Sequence, residues 1–159
     1  MRLAIASDHA GYPLKQHLVG FLRAQGHHVL DLGVHAEQPS TDYPDAAIAV
    51  GRALQRQEAE RGIVLCGSGV GVCIAANKLH GVYAAICHDT YSAAQGVEHD
   101  GMNVLCLGAR VVGITLAEHL CAAFIAAQFQ ADQERFVRRA DKVKALEQGL
   151  APSGQRPLG

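Results

Sequence analysis

The sequence predicts an α/β fold in which a five-stranded parallel sheet lies between two layers of helices. Three observations predict it. Short apolar runs alternate with stretches of helical spacing along a chain of 159 residues. The central run, Gly62–Cys66, is apolar throughout, the pattern of a strand buried on both faces. The composition is 49% hydrophobic but only 5% aromatic with no Trp, so the core is built from Ala, Val, Leu and Ile. The length suits one domain, expected over residues 1–148. The Gly- and Pro-containing tail, 149–159, is expected to be disordered.

The elements follow in order. Arg2–Ser7 is the first strand, broken by Gly11-Tyr12-Pro13. Leu14, Leu18, Phe21 and Leu22 then recur at helical spacing up to Gly26. His28–Leu32 is the second strand, closed by Gly33, and a polar loop Glu37–Pro44 leads to a helix from Asp45 to Glu60. Gly62–Cys66 is the third strand, followed by Gly67-Ser68-Gly69-Val70-Gly71 and a helix to Leu79. Val82–Cys87 reads as the fourth strand, Thr90–Val97 as a short helix and Asn103–Leu107 as the fifth strand. A helix over Ile114–Gln128, a polar break at Gln130–Gln133 and a charged helix through Glu147 complete the chain. The alternation gives a Rossmann-like three-layer sandwich, whose ligands are expected beyond the carboxyl ends of the strands.

Composition excludes several functions. Fourteen basic against fifteen acidic residues leave a net charge of −1, so nucleic acid is not an expected partner. The longest central uncharged run, Gly62–Asn77, contains four glycines and falls short of the ~20 apolar residues that span a membrane. The first residues carry no signal-peptide core. Five cysteines (66, 73, 87, 106 and 121), odd in number and without C-x-x-C, point to reduced thiols and a cytoplasmic setting. The nine histidines show no metal-binding spacing, so no metal is expected.

Polar groups gather at the strand ends: Ser7-Asp8-His9, Cys66 with its glycine turn, Cys87-His88-Asp89 and Gly108-Ala109-Arg110. Asp8 and Asp89 are each equally readable as helix caps. The glycines after Cys66 let backbone amides converge on a developing oxyanion, and a helix start favours a thiolate, which makes Cys66 a candidate nucleophile or base. The other cysteines read as core. A dinucleotide site competes for the same turn, because Asp89 lies 22 residues beyond Gly67. Yet the last place of G-x-G-x-x-G falls on Val72. His99 precedes the fifth strand, at the rim opposite Cys66. It reads as a surface histidine in the loop Glu98–Gly101, or as a group reaching the site of a second subunit. Arg135 and Arg139 share a helix face and can grip a phosphate, while Arg138 faces solvent.

Ser7-Asp8-His9-Ala10-Gly11, Thr41-Asp42-Tyr43-Pro44, Cys66–Gly71, Ile74–Lys78 and Asn103-Val104-Leu105 together resemble the ribose-5-phosphate isomerase B family, which includes the galactose-6-phosphate isomerase subunits. The similarity runs from Arg2 to about Glu147. It implies an aldose–ketose isomerase of phosphorylated sugars that uses an enediolate and neither metal nor cofactor. It makes ribose 5-phosphate the expected substrate, with allose 6-phosphate, galactose 6-phosphate or a tetrose phosphate as alternatives. A nucleotide-binding regulatory module is the reading from another class. By resemblance Cys66 is the base, Ser68 with Gly67, Gly69, Val70 and Gly71 holds the enediolate, and Asp8 and His99 open the sugar ring. His9, Tyr43, Arg110, Arg135 and Arg139 match positions near the phosphate. The family forms dimers with shared sites, and whether these double into tetramers is left open. Relatives that lack the cysteine use a glutamate where this chain has Val72. Two departures bear on specificity. Asp100 stands where Asn usually follows the histidine, and Phe136 stands where a histidine is common.

Overall fold

The computed structural model describes residues 1–35 and 40–149. Part of the polar loop before Pro44 and nearly all of the tail expected to be disordered lie outside the described residues. The chain runs β1 (Arg2–Ser7), α1 (Tyr12–Ala24), β2 (His28–Gly33), α2 (Tyr43–Gln55), β3 (Arg61–Cys66), α3 (Val70–Ala76), β4 (Ala84–Ile86), α4 (Thr90–Asp100), β5 (Val104–Gly108), α5 (Ile114–Ala126) and α6 (Glu134–Glu147). The strands form one parallel sheet in the order β2-β1-β3-β5-β4. This is the expected three-layer α/β architecture.

The two-residue period of the strands sorts the core into two layers. Leu3, Ile5, Ile63, Leu65, Leu105 and Leu107 face α1, α4 and α5, meeting Leu18, Leu22, Val97, Leu120 and Phe124. Ala4, Ala6, Val64, Cys66, Val104 and Cys106 face α2 and α3, meeting Ala47, Val50, Val72 and Ala76. The alanine-rich side lets α2 approach the sheet closely. One buried charge interrupts the first turns of α1. The Lys15 ammonium, with no exposed surface, pairs with Asp31 at 2.5 Å and donates to the carbonyls of Leu32 and Val34. It thereby ties the end of β2 to α1.

Several boundaries differ from the sequence reading, each for a local reason. Pro13 and Pro44 lie inside the first turns of α1 and α2, where a fixed φ and a missing N–H are compatible with a helix. Helix α2 stops at Gln55 and not at Glu60, and the chain turns at Gln57 with φ +58°. Helix α3 ends at Ala76 because the Asn77 side chain pairs with both backbone groups of Ala84, at 2.8 and 2.9 Å. Strand β4 begins only at Ala84, since the Asn103 side chain replaces ladder bonds at Tyr83 N–H and Gly81 C=O. Helix α4 continues to Asp100, closed by Gly101 at φ +71°. His99 therefore belongs to the last helical turn and not to a polar loop.

Candidate active site

Parallel strands β1, β3 and β5 end side by side, so the loops that follow them meet at one rim. A cavity of about 420 Å³ opens there. Asp8, His9 and Ala10 line it from the end of β1, and Cys66, Gly67, Ser68 and Gly71 from the β3–α3 turn. Tyr43 joins from the start of α2, and Arg110 and Val111 from the loop after β5.

The turn after β3 is held from two sides. Ala109 N–H donates to Cys66 C=O at 2.9 Å and Arg110 N–H to Gly67 C=O at 3.0 Å, which fastens it to the β5 loop. A side chain on Gly108 would put Cβ 2.5 Å from the Ser68 carbonyl oxygen, and Gly69 adopts φ +82°. Only glycine fits at both positions. Inside the turn, Gly69 N–H donates to Cys66 Sγ at 3.1 Å, while the cysteine is 5% exposed. Ser68 Oγ accepts from Val70 N–H at 3.2 Å, and its hydroxyl retains one proton to donate.

Asp8 is buried at the end of β1, and its Oδ1 accepts from Gly11 N–H at 2.9 Å. It closes the turn ahead of α1 while also lining the cavity, but it is not the helix cap: that position is Gly11, which receives no side-chain cap. His9 is fixed by a residue the sequence reading did not single out as functional. Thr41 Oγ1 accepts from His9 N–H at 2.7 Å, and Thr41 N–H donates to His9 Nδ1 at 3.1 Å. An Nδ1 that accepts leaves the proton on Nε2. Ala10 and Val111 were also unforeseen, since neither carries a titratable group.

Eight of the sequence-derived candidates meet at this cavity: Asp8, His9, Tyr43, Cys66, Gly67, Ser68, Gly71 and Arg110. Gly69 is buried behind the sulfur, and Val70 is turned out to solvent at 49% exposure. His99, Asp100, Arg135 and Arg139 do not reach the cavity of their own chain. They belong to the end of α4 and to α6, at the opposite rim. There His99 stacks on Phe136, with ring centroids 4.0 Å apart. Arg138 faces solvent and pairs with Glu134 at 3.7 Å.

The remaining thiols differ among themselves. Burial pushes Cys121 up to about 12 and Cys87 up to about 11. Cys73 is only half-buried, and a hydrogen bond from Cys106 draws its thiol down to about 7, with smaller help from Ile86 and Asn77. The reading of Cys73 as plain core misses this, because the contact joins α3 to β5.

The dinucleotide reading loses its acid. Asp89 caps α4, with Oδ1 accepting from Ser92 N–H at 2.7 Å and Oδ2 from Ser92 Oγ at 2.8 Å. These bonds hold its carboxyl below the ordinary range. Strand β5 also lies between β3 and β4, so Asp89 is not beside the glycine turn. Among the described residues, no cluster of His, Cys, Asp or Glu is arranged to hold a metal, and no helix is long and apolar enough to cross a membrane.

Comparison with known proteins accords with this geometry. The ribose/galactose isomerase family model matches residues 3–143. Ribose-5-phosphate isomerase B of Escherichia coli is 38% identical over 147 residues, covering 92% of this chain and 97% of that protein. D-erythrulose-4-phosphate isomerase of Pectobacterium atrosepticum is 38% identical over 130 residues, covering 82% and 86%. The solved structure of Clostridium thermocellum ribose-5-phosphate isomerase B superposes with a TM-score of 0.89 at 42% identity, covering 94% of this chain and 99% of that one. With its fold, its strand-end cavity and its full-length similarity in agreement, the chain belongs to the ribose/galactose isomerase family of sugar-phosphate aldose–ketose isomerases.

Proposed function

We propose that this chain interconverts ribose 5-phosphate and ribulose 5-phosphate through an enediolate, with Cys66 as the base. The observation that carries the reading is the Cys66 sulfur in the cavity wall, receiving the Gly69 N–H at 3.1 Å. In the open-chain aldose, the thiolate takes the C2 proton, and the electrons of that bond form C1=C2 while the carbonyl oxygen becomes an enediolate oxygen. The hydroxyl proton passes from O2 to O1, and Cys66 returns its proton to C1. Ser68, whose hydroxyl keeps its own proton to donate while accepting from Val70 N–H, offers a donor at the cavity wall for that charge, and the Gly69 N–H steadies the sulfur. His9 through its Nε2–H, Arg110 and the neighbouring Tyr43 make a binding end for the phosphate. A thiol base must stay reduced, which suits a cytoplasmic setting and a role in the pentose phosphate pathway.

The reading includes a homodimer with shared sites. Asp8 begins the opening of the sugar ring, and His99 of the partner subunit completes it. Asp100, Arg135 and Arg139 of the partner subunit extend the sugar and phosphate contacts. Support comes from apolar side chains exposed on elements that start at the site rim: Ile74 59%, Tyr91 74%, Val111 55% and Ile114 53%. A second copy covering some of them would remove exposed apolar surface from water.

Initial rates on ribose 5-phosphate, allose 6-phosphate, galactose 6-phosphate and erythrose 4-phosphate test the substrate. The highest kcat/KM is expected for ribose 5-phosphate. A clear preference for the four-carbon substrate would move the chain toward the activity named for its Pectobacterium relative.

A further inference from the structure

The contacts that hold His99 carry an inference beyond its proposed part in ring opening, and one that rests on that reading. One face of the imidazole is covered by Phe136, 2% exposed, with the two rings 14° from parallel. The Arg135 guanidinium lies over the same Phe136 ring, 4.5 Å from its centroid. At the imidazole's edge, Gln95, one turn earlier on α4, brings Nε2 within 2.9 Å of His99 Nδ1 and within 3.3 Å of Asp100 Oδ2. An ionised carboxylate only accepts hydrogen bonds, so Asp100 draws the NH₂ end of the Gln95 amide toward itself. That NH₂ has a second hydrogen to give, and His99 Nδ1 is the acceptor within reach. A nitrogen that accepts carries no proton, so the ring proton is on Nε2.

We propose that Gln95 and Asp100 are positioning residues that fix His99 in its Nε2–H tautomer. His99 then meets the sugar as a hydrogen-bond donor to the ring oxygen and not as the base that removes the anomeric proton. In ring opening, the bond from C1 to the ring oxygen breaks and negative charge grows on that oxygen, where the Nε2–H stabilises it. The Asp8 carboxylate takes the anomeric hydroxyl proton and hands it to the ring oxygen, which is bonded to the same carbon. Both groups finish in the state in which they began. Asn at position 100 would leave the Gln95 amide free to turn either way, so the carboxylate is what makes the tautomer unique.

Two measurements on the full-length protein test this. In histidine-labelled protein, long-range 1H–15N NMR is expected to show His99 as the Nε2–H form in the wild type, a mixture in Asp100→Asn and the Nδ1–H form in Gln95→Glu. An Nδ1–H wild type overturns the inference. Kinetically, Gln95→Glu is expected to lower kcat on ribose 5-phosphate about tenfold or more with little change in KM. Erythrose 4-phosphate carries its phosphate on the only hydroxyl able to close a five-membered ring, so its turnover should be unaffected. Equal losses on both substrates would mark a general structural defect and overturn the positioning role. Wild-type turnover of ribose 5-phosphate in Gln95→Glu, with turnover lost in His99→Ala, overturns that role alone. Unchanged turnover in His99→Ala overturns the ring-opening reading and this inference with it.

Discussion

At the scale of single residues, the site depends on atoms that are absent as much as on those present. Gly108 has no side chain because the Ser68 carbonyl occupies the place of its Cβ. Gly108→Ala is expected to push the turn after β3 away from the β5 loop, destabilising the protein by about 2 kcal/mol. Urea unfolding measures that cost, and kcat should fall with it because the donors around Cys66 move. The thiols offer a second test. Cys73, drawn to about 7 mainly by the Cys106 hydrogen bond, is thiolate above neutrality. In a Cys66→Ala background, iodoacetamide should label it with a pH midpoint near 7, whereas Cys87, pushed up to about 11, stays unlabelled. Mass spectrometry of the alkylated peptides reads both. The sign for stability follows. The folded value lies below that of an unfolded thiol, so this group favours the native state increasingly as pH rises above 7 and loses that contribution as pH falls through 7. Cys66 and the glycines were legible in the sequence because strand end, thiol and turn are contiguous. Thr41 was not, since it clamps His9 through both its hydroxyl and its backbone N–H from 32 residues away.

At the scale of elements, α4 links the two rims of the molecule. It begins at the Asp89 cap, at the end of β4, and delivers His99 and Asp100 to the start of β5. Asp89→Ala removes two hydrogen bonds to Ser92 and should lower the urea midpoint at neutral pH. Because those bonds depress the carboxyl, the cap's contribution is present above the ordinary carboxylate range and is lost as pH falls through its lowered folded value. Sugar-phosphate turnover is expected to survive in that variant; a loss of nucleotide binding in place of stability would revive the dinucleotide reading. The strands were legible as short apolar runs, such as Leu3–Ala6 and Gly62–Cys66, because both faces of the sheet are covered. The ends were not. Asn77 and Asn103 substitute side-chain amides for backbone pairs, and a single residue gives no local sign of doing so. The extension of α4 to Asp100 was hidden by the polarity of Glu98, His99 and Asp100.

For the whole molecule, the strand order puts β5 between β3 and β4, which no local pattern announces, and that insertion brings Arg110 to the site. The opposite placement of Cys66 and His99 was already legible from chain order, and under the proposed function His99 serves the site of a second subunit. Mixing Cys66→Ala and His99→Ala proteins under subunit exchange should restore about a quarter of wild-type activity, since half of the dimers are mixed and each has one intact site. No recovery despite exchange proven by mass spectrometry would contradict sharing. The proton transfer itself is tested most directly by ribose 5-phosphate deuterated at C2, with loss of the label followed by NMR. Wild-type protein should wash it out rapidly. Cys66→Ala should release it no faster than buffer alone while still binding the sugar phosphate in calorimetry, and release at the wild-type rate would show that another group takes the proton.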